Sequence, residues 1–123
     1  MLRRIAEGGM GEVWEAEQAS LGRVIAVKRL KQRNVEADDE FRAESFIAAN
    51  LEHPNILPVY DLGQERDGSL LLAMKRVHGR SWKDLLEAGF DDMSVDDYLA
   101  RHVPILVSVA QAVAFAHARG VIH

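Results

Sequence analysis

Three kinds of residue near the start of the chain have the types and spacing to do chemistry together. Gly8, Gly9 and Gly11 crowd into Ala6-Glu7-Gly8-Gly9-Met10-Gly11-Glu12-Val13, and Lys28 stands among apolar residues in Val24-Ile25-Ala26-Val27-Lys28-Arg29-Leu30. Glu44 interrupts an apolar helical stripe. Glycine weakens a strand, yet with no Cβ it lets backbone approach a ligand closely, and successive N–H groups then donate to anionic oxygens. A lysine on an inward strand face is costly unless an anion meets it. Alternation puts Val24, Ala26, Lys28 and Leu30 on one face, with Ile25, Val27 and Arg29 on the other. Phe41, Ala48 and Leu51 recur at helical spacing around Glu44. Glu44 is therefore expected to pair with Lys28 in a buried ion pair; the alternative is an exposed Glu44 on a helix turned toward Ile47. Backbone donors, an ammonium and a carboxylate that fixes it describe a triphosphate clamp. A plain hairpin with a flexible tip, and a lysine that snorkels to water, are the competing readings.

The elements that must position these residues follow from pattern. Residues 2–5 and 12–18 read as strands flanking the glycine turn, and 24–30 as a third strand after Ser20-Leu21-Gly22-Arg23. A helix is predicted over 37–51, ended by His53-Pro54. Strands at 56–62 and 69–75 are joined through Asp67-Gly68, a strong hairpin dipeptide. Ser81 with Asp84, and Ser94 with Asp97, are N-cap signals. Pro104 suits the first turn of a longer helix and Gly120 its end. A small antiparallel sheet with one helix, followed by helices, is an α+β arrangement.

Bulk properties narrow the function. The 123 residues are 48% apolar and 28% charged with a net charge of −4, values of an ordinary globular domain. No basic stripe is present, so no nucleic-acid partner is expected. Cysteine is absent, which excludes disulfides and thiolate metal sites. The five histidines include no close pair on one helical face, so no metal site is expected. The nearest approach to a membrane segment, 103–122, is interrupted by Gln111, His117 and Arg119. No membrane segment is expected, and with no secretory signal the expected compartment is cytoplasmic. Asp91, Asp92, Asp96 and Asp97 lack the spacing of a calcium loop and read as a solvated helix start. His53 reads as a turn histidine, His117 as a core or helix-end residue, and Trp14 and Trp82 as packing residues.

These motifs resemble the N-terminal half of a protein kinase domain, most of all that of bacterial serine/threonine kinases. The segment 6–13 matches the glycine-rich loop G-x-G-x-x-G-x-V, and Ile25-Ala26-Val27-Lys28 matches the strand motif V-A-I-K. Glu44 takes the place of the helix-C glutamate, and His53-Pro54-Asn55-Ile56 resembles the segment leading into the fourth strand. The resemblance implies an N-lobe and hinge over 1–77, a five-stranded antiparallel sheet plus helix C. The first helices of the C-lobe would follow over 78–123. It also implies ATP as cofactor, a protein substrate, and nucleotide contacts from Ala6, Glu7, Gly8, Gly9, Met10, Gly11, Glu12, Val13, Ala26, Lys28, Glu44, Met74, Lys75 and Val77. Met74 would be the gatekeeper, Lys75-Arg76-Val77 the hinge, and Val13 with Ala26 the roof over adenine.

Two positions depart from the family pattern: Ala6 replaces the first glycine, and Lys75 stands where an acidic residue is usual. Gly120-Val121-Ile122-His123 resembles the run into H-R-D, so the catalytic aspartate and the Mg²⁺ ligands would lie beyond these residues. Residues 1–123 alone are accordingly expected to be inactive, with 80–123 loosely held and exposing apolar surface. A pseudokinase-like nucleotide-binding or regulatory module, and a purely structural interaction domain, are the alternative readings.

Overall fold

The computed structural model describes residues 1–9, 11–89 and 92–122. The chain divides into two compact units, Met1–Glu52 with Leu57–Val77, and His53–Ile56 with His78–His123.

The first unit is built on five strands: β1 (Arg3–Glu7), β2 (Gly11–Gln18), β3 (Arg23–Leu30), β4 (Val59–Gln64) and β5 (Leu70–Lys75). They form one antiparallel sheet in the order β1-β2-β3-β5-β4, with α1 (Val35–Ala49) inserted between β3 and β4. Alternation along β3 holds as the sequence predicts. Ala26 packs with Leu70, Leu72, Met74 and Phe41 of α1, and Val13 and Leu30 border that cluster. Ile25 and Val27 pack on the opposite face with Ala16, Leu71 and Ala73.

Helix α1 starts two residues before the predicted boundary, because the Asn34 side chain accepts from the Ala37 N–H at 2.8 Å and caps it. Of the predicted run Phe41, Ala48 and Leu51, Phe41 is buried and Ala48 and Leu51 are half-buried, Leu51 lying past the helix end; the second buried position of the helix is Ser45. A step of four keeps Ser45 on the face of Phe41, and its hydroxyl donates to the Phe41 carbonyl at 2.6 Å, which satisfies a buried polar group. Glu44 is rotated off that face and is exposed, and Ile47 is also exposed, at 43%.

Strand β4 begins later than the predicted 56–62. Pro58 has no N–H to give a ladder, and its carbonyl instead accepts from the Lys75 N–H at 3.0 Å. The β4–β5 turn uses Gly68 at φ +86°, a conformation that favours glycine, while Asp67 accepts from the Ser69 N–H at 2.8 Å.

The second unit carries α2 (Trp82–Ala88) and α3 (Val95–Ala118), capped by Ser81 and Ser94. Pro104 does not open a helix as predicted: it sits inside one continuous helix of 24 residues. The Ser94 cap, accepting from the Asp97 N–H at 3.2 Å, starts the helix earlier, and proline costs it one internal hydrogen bond. The Trp82 indole donates to His102 Nδ1 at 3.0 Å and joins α2 to α3. His53 is a turn histidine, its Nδ1 accepting from the Asn55 N–H at 3.0 Å, and its ring lies 4.9 Å from that of Phe115. Asn55 in turn donates to the Ser108 carbonyl at 3.0 Å. Helix α3 is long and apolar enough to cross a membrane by length and composition, a property it shares with core helices of soluble proteins. Val103, Leu106, Val107 and Val109 are exposed along it.

Phe41 is 3% exposed and Phe46, five residues further on, is 71% exposed. Phe41→Ala is expected to cost about 3–5 kcal/mol in urea unfolding, and Phe46→Ala no more than about 0.5 kcal/mol.

Candidate functional site

The three glycines of the hairpin answer to two different constraints. The Gly8 N–H donates to the Gly11 carbonyl at 2.9 Å and closes the turn between β1 and β2. A Cβ on Gly11 would lie 2.5 Å from the Arg29 carbonyl oxygen, so Gly11 is required by the approach of β2 to β3. Among the described residues, a Cβ on Gly8 or Gly9 would meet nothing within 4 Å, so their packing gives no reason for glycine there. That open space is where a ligand can reach the backbone. Met10 lies outside the described residues.

Strand register brings several of the predicted residues to one face. Ala6 pairs with Val13, Val13 with Lys28, Lys28 with Leu72, and Ala26 with Met74. Cross-strand partners share a face, so Ala6, Val13, Ala26, Lys28 and Met74 all look toward the side that α1 covers. Ala26 and Met74 are buried there, and Val13 is half-buried. Lys75 ends β5, and Val77 is 57% exposed two residues later.

Lys28 and Glu44 line a single cavity of about 210 Å³ together with Gly9, Leu30, Gln32, Ala37, Glu40 and Phe41. The predicted Lys28–Glu44 ion pair is not formed among the described residues. Because α1 turns Phe41 and Ser45 inward, Glu44 stays at the exposed rim, and the Lys28 ammonium instead lies 5.8 Å from the centre of the Phe41 ring. A half-buried ammonium paired with no carboxylate among the described residues, facing a cavity bounded by a glycine turn, is arranged to receive an anion. A larger cavity of about 800 Å³ lies between α1 and β4, lined by Phe46, Ile47, Tyr60, Leu62 and Leu72 among others. Its lining is chiefly apolar and includes none of the predicted site residues, so it does not suit a polyphosphate.

The carboxylates of the hairpin are committed to structure. Glu7 is paired with Lys31 and with Arg4 at 2.9 Å. Glu12 accepts from the Trp14 indole at 3.0 Å and from Arg4 at 3.2 Å. Glu15 pairs with Arg3 at 3.3 Å and with Arg76 at 2.9 Å. Sequence reasoning missed this last link: alternation places Glu15 beside Ala26, but no local pattern points to a partner 61 residues away. If Glu7 and Glu12 serve a ligand, they do so through backbone, since their side chains are occupied. The Lys31 ammonium, then Arg4, holds the Glu7 carboxyl below its ordinary value; the Trp14 N–H, then Arg4, does so for Glu12, and Arg3 followed by Arg76 for Glu15. Lowered carboxyls contribute stability above the ordinary value of 4.5 and lose it as pH falls through their folded values. Carboxyl NMR titration is expected to place the midpoint of each of the three below 4.5, with the β1–β2 signals following them.

Among the described residues, no group of three or more His, Asp or Glu side chains is placed to hold a metal ion.

Comparison with known proteins places this geometry. The family profile described as "Protein kinase domain" matches residues 1–123. The chain is 38% identical to the serine/threonine-protein kinase pkn3 of Myxococcus xanthus, over 97% of its own length and 21% of that protein. It is 36% identical to the serine/threonine-protein kinase PknA of Mycobacterium tuberculosis, over 98% of its length and 28% of that protein. The crystal structure of a double mutant of the Mycobacterium tuberculosis PknI kinase domain matches with a TM-score of 0.75 at 31% identity. That match covers 98% of this chain and 49% of the solved one. The chain therefore spans between a fifth and a third of these curated relatives, and about half of a solved kinase domain. The five-stranded sheet with its helix is the N-lobe of that fold, and the helices that follow are the start of the C-lobe. Matched along its whole length, and with bacterial serine/threonine kinases as its relatives, the chain belongs to the protein kinase domain family.

Proposed function

We propose that this chain is the ATP-binding part of a serine/threonine protein kinase that moves the γ-phosphoryl group of ATP to protein hydroxyls in the cytoplasm. The observation that carries the reading is the Lys28 ammonium, free of any carboxylate among the described residues and sharing a cavity with Gly9 and Glu44. In this reading Lys28 neutralises the α- and β-phosphate oxygens. The turn of 8–11 covers the phosphates, where the open side of Gly8 and Gly9 lets its backbone approach. Ala6, with a single methyl in place of the family's glycine, leaves the hairpin able to close. Val13 and Ala26 form the roof over adenine, Met74 bounds the back of its slot, and the backbone at Lys75 and Val77 meets its edge. Because that recognition uses backbone, a lysine at position 75 is compatible with it.

Glu44 acts on Lys28 once nucleotide is bound. Both side chains already line one cavity, so a modest inward turn of α1 would bring the carboxylate to the ammonium and fix its position. Mg²⁺, when bound, neutralises charge on the transferring phosphoryl group, and in the family its ligands belong to motifs that follow these 123 residues. The relatives' names support serine/threonine rather than tyrosine as the acceptor.

Titration with a fluorescent ATP analogue tests the site. Lys28→Ala is expected to weaken binding about 10–100-fold, the size of a lost charge-assisted contact. Gly8→Ala is expected to weaken it about 3–10-fold while leaving the urea midpoint unchanged, because the added methyl touches only ligand. Equal affinity in wild type and Lys28→Ala would refute the site. A polypeptide of residues 1–123 is expected to transfer no phosphate from Mg²⁺-ATP to a protein substrate. Transfer that disappears in Lys28→Met would show that these residues suffice for catalysis.

A further inference from the structure

The ion pair between Glu15 and Arg76 differs from every other among the described residues. Arg76 Nε lies 2.9 Å from Glu15 Oε2, and the two side chains are 16% and 15% exposed. In each of the remaining pairs at least one partner is 35% or more exposed. Exposed pairs hold little, whereas a pair shielded from water with directed hydrogen bonds holds a geometry. The Arg76 guanidinium also donates through Nη1 to the Val77 carbonyl, so one planar fork joins β2 to the backbone just past β5. On the far side Glu15 accepts from Arg3 at 3.3 Å, which engages both carboxylate oxygens.

The location of this pair gives it a consequence. Glu15 is the cross-strand neighbour of Ala26, and Ala26 is in turn the neighbour of Met74. Glu15 also lies two residues beyond Val13 on the same face of β2. Arg76 stands between Lys75 and Val77. The pair therefore ties the strand carrying the roof of the base slot to the backbone at its edge, and does not involve the phosphate end at Gly8, Gly9 and Lys28.

We propose that Glu15 and Arg76 are positioning residues for the purine base, setting the spacing between the β2 roof and the backbone of 75–77. This rests on the nucleotide-binding reading above and adds to it the residues that set base affinity. Because they act at the base end only, their removal separates two ligands that share a triphosphate. An intact base slot favours ATP over inorganic tripolyphosphate; a slot with its brace cut loses that preference.

The test uses the 123-residue chain with a fluorescent ATP analogue, and with inorganic tripolyphosphate as competitor. Glu15→Gln and Arg76→Gln are each expected to weaken analogue binding about tenfold, the equivalent of about 1.4 kcal/mol, and to change the tripolyphosphate constant less than about twofold. The double variant is expected to bind no worse than the weaker single one, because either substitution already removes the shared interaction. Arg76→Lys, which keeps the charge and loses the fork, is expected to fall between wild type and Arg76→Gln. Unchanged or tighter analogue binding in both single variants would overturn the proposal. So would an equal loss for tripolyphosphate, which would mean that the pair supports the lobe as a whole. A wild-type chain that binds neither ligand would instead defeat the nucleotide reading itself.

Discussion

The register of β3 against its two neighbours is the constraint on which the rest of the first unit depends. Val13, Lys28 and Leu72 are cross-strand partners, as are Glu15, Ala26 and Met74. With a side-chain period of two, a slip of one residue would send Lys28 to the opposite face and bring Ile25 or Val27 under α1. The apolar content of both faces guards against this. Ala26, Leu70, Leu72 and Met74 close around Phe41 on one side, while Ala16, Ile25 and Val27 close the other. Packing that is satisfied on both faces holds the ammonium on the face where the candidate site lies.

Charge around the glycine hairpin is distributed so that Lys28 is paired with no carboxylate among the described residues. Around the glycine hairpin each carboxylate already has a partner: Glu7 with Lys31 and Arg4, Glu12 with Arg4 and Trp14, Glu15 with Arg3 and Arg76. Glu40 and Glu44 line the cavity without pairing to Lys28. An anion entering there meets an ammonium that does not have to break an existing bond first. The hairpin pairs hold the turn through side chains, and the Gly8 N–H closes it onto the Gly11 carbonyl.

The second unit is held by polar contacts as specific as those of the first. Asn55 reaches the Ser108 carbonyl of α3, His53 lies against Phe115, and Trp82 bonds His102. The His53–Ile56 segment thus belongs with α3, although in sequence it lies between α1 and β4. No spacing rule reveals that allegiance, since it is set by one amide and one ring meeting a helix more than fifty residues on.

What could be read directly from the residues was local. The glycine turn, the alternation of β3, the Asp67-Gly68 hairpin and the serine caps each follow from the conformational preferences of a few neighbouring residues, and all appear in the structure. Linear pattern was less reliable where a local signal had a competitor. Pro104 reads as a start, but the Ser94 cap lets the helix run through it. Glu44 reads as inward because leucine and alanine surround it, but Ser45 can take the buried place once its hydroxyl bonds within its own helix. Long-range pairing was invisible altogether. That Glu15 meets Arg76, or that Lys28 lies by Phe41 and not beside Glu44, depends on the rotation of one helix and the course of one strand end. Residue order alone singled out the candidate site residues and the strand face each one occupies, because period and turn preference act over a few bonds. Only the tertiary structure decided which charges meet, because an ion pair forms or fails over distances of an ångström or two, and packing sets those distances.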